Sequence, residues 1–157
     1  MNDIEAMQRC IELARLSTER GDHPFGSLIT RDGELLAEGL NSVITELDAS
    51  AHAETVAMRN ACRIVGALDL RGATLYTSCE PCWICSCVIR ELRIDRVVFA
   101  LTSPKGGGYS SARYPILVDA AIERYGPPPR VEVGLLAEQS QMLWSEVGWP
   151  RPRHTDS

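Results

Sequence analysis

Lysine is almost missing from this chain. Lys105 stands alone beside 15 arginines in 157 residues, and acids outnumber bases 21 to 16, for a formal net charge of -5. A protein that grips a nucleic-acid backbone normally carries a basic face. The bulk charge therefore favours a small-molecule partner and leaves only a local basic patch for RNA. Long apolar runs are missing too. The longest surrounds Val97 to Leu101, far short of the roughly 20 residues a membrane helix needs, so no membrane partner is expected. Met1 to Glu5 show no basic region ahead of an apolar stretch. No secretory signal is expected, and a cytoplasmic location is. Internal repeats and low-complexity tracts are also absent. Histidine is scarce, at His23, His52 and His154.

What is present describes one compact domain, 1–157. Hydrophobic residues make up 45% and charged residues 24%, which is ordinary globular composition and excludes disordered or fibrous classes. A chain of this length buries roughly two-thirds of its unfolded surface, so it needs no disulfide staples. Helical spacing over 3–20 stops at Gly21. Two apolar runs, 25–30 and 34–39, flank Asp32-Gly33, a hairpin signal. A helix is predicted over 52–66 and a strand over 73–78. Pro81 is then expected in the first turn of a helix running to Leu92. A strand follows over 96–101, a mobile Gly/Ser-rich loop over 102–112, a short helix over 114–125 and a strand over 131–134. The C-terminal segment 136–157 is a final helix and tail, expected to close the active site. Alternating strands and helices after a hairpin predict an α/β fold: a three-layer α-β-α sandwich around a mixed five-stranded sheet, with 73–78 and 96–101 parallel.

Six cysteines are present, and four of them (Cys79, Cys82, Cys85, Cys87) crowd into nine positions. In a chain with no signal this means a metal or redox site more often than a disulfide framework. Two motifs stand out, His52-Ala53-Glu54 and Pro81-Cys82-Trp83-Ile84-Cys85, each at a predicted helix start. Cys82 and Cys85, three apart, share one helix face, and a helix N-terminus favours thiolate. Two thiolates and one imidazole make a three-ligand zinc site whose fourth position stays open for water, the catalytic rather than the structural arrangement. Glu54 sits beside that position as a proton carrier. A redox dithiol is an alternative, but it has no use for His-x-Glu. A closed Cys₄ zinc is another, but Cys85 and Cys87 are too close for the usual knuckle. A buried cysteine pair and a core histidine are the plain alternative. Taken jointly, the two motifs point to a deaminase-type zinc site.

The chain resembles the cytidine deaminase-like superfamily, and within it the branch of guanine deaminase, fungal-type cytosine deaminase and tRNA adenosine deaminase. The resemblance rests on Pro24-Phe25-Gly26, Gly39-Leu40-Asn41, Ala51-His52-Ala53-Glu54, the run Leu75 to Cys82 and Ile94 to Phe99. It covers about residues 4–100. It implies His52, Cys82 and Cys85 as ligands of one Zn²⁺ per subunit and Glu54 as the proton shuttle. It implies Asn41 as a hydrogen-bonding partner of the base edge, Phe25 as a pocket wall, and the N–H groups of Ala53 and Cys82 near the reacting oxygen. A homodimer is implied too. Cys79 and Cys87 are expected to be non-ligands, and Cys10 and Cys62 core residues.

The expected reaction is hydrolytic deamination of an aminated nucleobase, nucleoside or related small N-heterocycle, guanine-like or cytosine-like, releasing ammonia. Guanine deaminases of this branch place an acid in the loop that here spans Thr102 to Arg113, and this stretch has none. Glu146 is the candidate replacement, with Trp144 and especially Trp149 as covers of the base, while His23 adjoins the pocket segment. A tRNA adenosine deaminase is the alternative. It would need a positive surface around the site, drawn from Arg90, Arg93, Arg96, Arg151 and Arg153. A non-catalytic zinc-binding accessory subunit is a further alternative, against which Glu54 argues.

Overall fold

A computed structural model of the chain describes residues 1–150; Arg151, Arg153 and His154, named above, lie outside the described residues. Helix α1 (Asp3–Glu19) starts on a capping box, in which the Asn2 side chain accepts from the Glu5 N–H and the Glu5 carboxylate accepts from the Asn2 N–H. Strands β1 (Gly26–Arg31) and β2 (Glu34–Leu40) form the expected hairpin. Asp32 and Gly33 at its tip take φ of 53° and 77°, the paired left-handed geometry of a tight hairpin turn. Then come α2 (Ala53–Val65), β3 (Ala73–Cys79), α3 (Trp83–Glu91), β4 (Arg96–Leu101), β5 (Arg130–Val133) and α4 (Ala137–Val147).

The five strands form one mixed sheet in the order β2-β1-β3-β4-β5. β1 is antiparallel to both its neighbours, while β3, β4 and β5 run parallel. Successive strand residues point to opposite faces, so central strands buried on both sides read as continuous apolar runs. Ile29, Leu75, Val97 and Phe99 pack with α2 and α3, through Met58, Ala61 and Ile89. Their neighbours Leu28, Tyr76, Val98 and Ala100 pack with α1, through Met7 and Cys10. With α4 also against α1 and β4, this is the three-layer sandwich expected. Gly39 lets α2 lie directly on β2, because the backbone of Ala53 and Ala57 occupies the place a side chain would need. That close approach sets where the start of α2 falls.

Two local expectations are corrected. Pro81 is not in the first turn of α3; Cys82 is the N-cap and Trp83 the first helical residue. Residues 114–125 form isolated turns rather than a helix. The carbonyls of Ile116, Asp119 and Gly126 turn inward to accept from the Arg90 guanidinium, at 2.7, 3.0 and 3.0 Å. A buried arginine thus does the work of helical pairing. Arg90 is 3% exposed, so it is no part of a surface for RNA.

Arg96 is likewise committed. Its guanidinium donates to Asp3 and to Glu132, and the Tyr76 hydroxyl donates to Asp3 at 2.6 Å. The group joins the start of α1 to β3, β4 and β5. The Arg96 hydrogen bonds, seconded by Tyr76, hold the Asp3 carboxyl down to about 2. A depressed carboxyl stabilises the fold above its unfolded value, about 3.9, and that contribution disappears as pH falls through the folded value. Asp3→Asn should therefore lower the thermal midpoint at neutral pH and leave a shallower loss between about pH 4 and 2 than the parent shows. Equal acid limbs in the two proteins would remove Asp3 from this role.

Candidate active site

His52 and Cys82 occupy equivalent positions, each the extended N-cap residue of a helix, with neither side chain spent on capping. Cys85 lies one turn into α3. The two helix starts converge, so the three ligand atoms lie within 4.8 Å of one another. The Cys82 Sγ is 3.4 Å from His52 Nδ1, the Cys85 Sγ is 3.5 Å from it, and the two sulfurs are 3.7 Å apart. A tetrahedral zinc with Zn–S about 2.3 Å and Zn–N about 2.0–2.1 Å needs edges of about 3.5 Å for S···N and about 3.7 Å for S···S. The triangle fits zinc without adjustment. Its electrostatics suit a cation as well. The hydrogen bond from Cys85, then that from His52, brings the Cys82 thiol down to about 4. Unpaired N–H groups at both helix starts add positive potential.

Beside the triangle is a cavity of about 260 Å³. Glu54 lines it and is 6% exposed; burial pushes its carboxyl up to about 7. Ala53, fully buried, is the first residue of α2, so its N–H is among that helix's unpaired donors. Asn41 lines the same cavity; its Oδ1 accepts from the Val43 N–H, and its amide NH₂ makes no hydrogen bond among the described residues. Phe25 and Trp149 form an aromatic corner, with ring centroids 5.4 Å apart at 88°, and the His23 ring stands 4.7 Å from Trp149.

The remaining expected residues fall elsewhere. Trp144 is a backing residue, edge-on to Phe25 at 5.9 Å with its indole N–H directed at the Pro24 carbonyl, and it does not line the cavity. Glu146 is corrected outright. It pairs with Arg15 at 2.9 Å, both side chains about half exposed, because its turn of α4 faces α1 and not the cavity. Cys79 lines the cavity but stands outside the ligand triangle, as does Cys87.

Glu80 is a residue that sequence reasoning passed over. It is 4% exposed and lines the cavity. Its Oε1 accepts from the Ser103 N–H and the Ser110 hydroxyl, and its Oε2 from the Tyr109 and Ser110 N–H groups. One buried carboxylate thus ties down both ends of the Gly-rich loop. Gly107 passes so close to this carboxylate that a side chain there would overlap it. The loop expected to be mobile is therefore anchored. The available signal was the acid placed directly before Pro81-Cys82.

A family model described as "Cytidine and deoxycytidylate deaminase zinc-binding region" matches residues 1–101. The guanine deaminase of Bacillus subtilis (strain 168) is 43% identical over 101 residues, 64% of this chain; the match spans 65% of that protein, just under two thirds. The tRNA-specific adenosine deaminase of the same organism is 35% identical over 133 residues, 85% of this chain and 80% of its own length. A solved structure from work on A-to-I editing by tRNA:A34 deaminases at the wobble position superposes with a TM-score of 0.81 at 31% identity, covering 88% of this chain and 98% of its own.

Proposed function

Because the chain belongs to the cytidine and deoxycytidylate deaminase family, a family of zinc-dependent hydrolytic deaminases, we propose that it deaminates a small aminated heterocycle, a free base or nucleoside of guanine-like or cytosine-like type, with release of ammonia. The observation that carries this reading is Trp149. It closes a cavity smaller than the roughly 300–1,000 Å³ of drug-sized ligand sites, against Phe25 and His23. An aromatic ring at the mouth suits a small ring better than an extruded nucleotide still held in RNA. Among the described residues the basic surface an RNA would need also finds little support: Arg90 is buried, Arg96 is paired, and Arg93 lies at the far end of α3 from the site.

His52, Cys82 and Cys85 would hold the zinc. When bound, zinc would supply a Lewis acid that makes the attacking water more acidic. Glu54 takes the proton from that water and passes it to the ring nitrogen. It then serves the amine nitrogen, so that water adds at the amine-bearing carbon, the C–N bond breaks, and a ring carbonyl and ammonia result. The Asn41 amide reads the far edge of the ring, and Phe25 and Trp149 cover its faces and exclude bulk water.

A panel of free bases, nucleosides and tRNA, assayed for ammonia with zinc-loaded protein, tests the reading. Bases or nucleosides should turn over and tRNA should not; Trp149→Ala should raise KM about tenfold, the loss expected from removing one aromatic contact. Turnover of tRNA alone would overturn it.

The reading extends to a cytoplasmic homodimer. A groove of about 450 Å³ along α2 and α3 is lined by Met58, Cys62, Leu68, Ile84 and Val88, and Leu68 and Ile84 are 83% and 51% exposed. Clustered apolar exposure of this kind marks an interface, and the occupant we assign is a second copy of the chain. Light scattering should give a dimer mass, and Ile84→Glu a monomer. A monomeric parent would refute this assignment.

A further inference from the structure

At the other end of the parallel strands, away from the ligand triangle, lies a cavity of about 520 Å³, about twice the volume of the candidate active site. It is bounded by the entries to β3, β4 and β5 and by the C-terminal end of α3. Four arginines line it: Arg71, Arg90, Arg93 and Arg130. Arg90 forms the inner wall, its terminal nitrogens given to loop carbonyls and its Nε buried without a partner. Arg71 is paired with Asp69. Arg93 and Arg130 are exposed; among the described residues neither guanidinium makes a hydrogen bond or a close ion pair, although Asp69 feels the charge of Arg93 and Glu132 that of Arg130. One carboxylate, Asp95, lines the cavity, and it already accepts from the Gly72 N–H.

This is a local excess of positive charge, in a concave site, on a chain whose net charge is -5. Like charges gathered in one depression repel one another and raise the potential there; an anion relieves both. Arg93 also holds φ of 58° at the position after a helix end that usually goes to glycine, so its side chain is placed there at some conformational cost. The guanidinium fork matches phosphate oxygens in pairs. The apolar part of the wall that a ligand can reach comes from Pro127 and Pro128, which suits a ligand with an apolar body behind its charged group. A nucleic-acid backbone would call for a run of cations tracking successive phosphates rather than one depression.

We propose that this cavity is a second ligand site, separate from the deaminase centre, for a small phosphomonoester whose phosphate is held by Arg93 and Arg130 and whose apolar body rests on Pro127 and Pro128. The test is calorimetric titration of the zinc-loaded protein with phenyl phosphate, which carries no amine and is no deaminase substrate, beside phenol, inorganic phosphate and a short single-stranded RNA. Phenyl phosphate should bind one-to-one and at least about tenfold more tightly than phenol or inorganic phosphate. The double variant Arg93→Gln/Arg130→Gln should lose at least about tenfold of that affinity while keeping its thermal midpoint and its deaminase turnover. Unchanged binding in the double variant, no binding of phenyl phosphate by the parent at millimolar concentration, or binding of the RNA in preference to phenyl phosphate would each overturn the proposal.

Discussion

Exchanging Glu54 for glutamine should lower kcat by about 10²–10⁴-fold, the range contributed by a positioned proton-transfer group, while zinc content measured by mass spectrometry stays at one ion per chain. The two halves of this expectation come from separate observations. Glu54 is buried in the cavity wall beside the triangle, yet the metal-competent group consists of His52, Cys82 and Cys85 without it. Glutamine preserves size and hydrogen bonding but carries no exchangeable acid proton, so the chemical step suffers and the metal does not. KM should move little, because in the proposed reading the base edge and faces are held by Asn41, Phe25 and Trp149 and not by Glu54. A Glu54→Gln protein with parental turnover would refute the assigned role, and one that lost its zinc would place Glu54 among the ligands instead.

The second large effect concerns the sulfurs. Cys82→Ser and Cys85→Ser should each weaken zinc binding by more than the about 10–100-fold seen when only an outer-shell partner is removed, and turnover should fall with the bound metal. Cys79→Ser and Cys87→Ser should keep both. The contrast is sharp because all four cysteines lie close in sequence, and only two reach the imidazole, at 3.4 and 3.5 Å. A Cys₄ site would lose zinc in all four variants and would keep it on changing His52. A redox dithiol would lose activity in the Cys82 and Cys85 variants without a matching loss of metal. Dialysis against a chelator should inactivate the parent, and zinc should restore it.

The chemistry was legible in the sequence because it is locally encoded. His52 and Glu54 are two apart and Cys82 and Cys85 three apart, and each motif sits where a helix begins. Helix geometry then fixes which side chains share a face and where unpaired N–H groups gather. The hairpin was legible for the same reason, since Asp32-Gly33 specifies its own turn. The 114–125 segment was not. Its apolar spacing is helical, but the carbonyls of Ile116 and Asp119 go to Arg90, a partner on another element, and no local pattern announces that. Glu80 was missed on similar grounds: a carboxylate beside a Pro-Cys pair reads as part of a motif until the loop it anchors folds back over it.

Near the C-terminus the division is plainest. The sequence alone placed an acid and two tryptophans close to the end of the chain, and with them a zinc deaminase core on an α/β sandwich. Periodicity and spacing determine the elements and the placing of the two motifs, because they act between near neighbours, and the resemblance supplied the deaminase chemistry. Which of the three reaches the cavity beside the ligand triangle was decided only by tertiary structure. The packing of α4 on α1 turns Glu146 toward Arg15 and sets Trp144 behind Phe25, and the chain beyond the helix returns Trp149 over the mouth. Contacts between segments so distant in the chain depend on the final arrangement of helices on the sheet, a property of the whole fold rather than of any stretch within it.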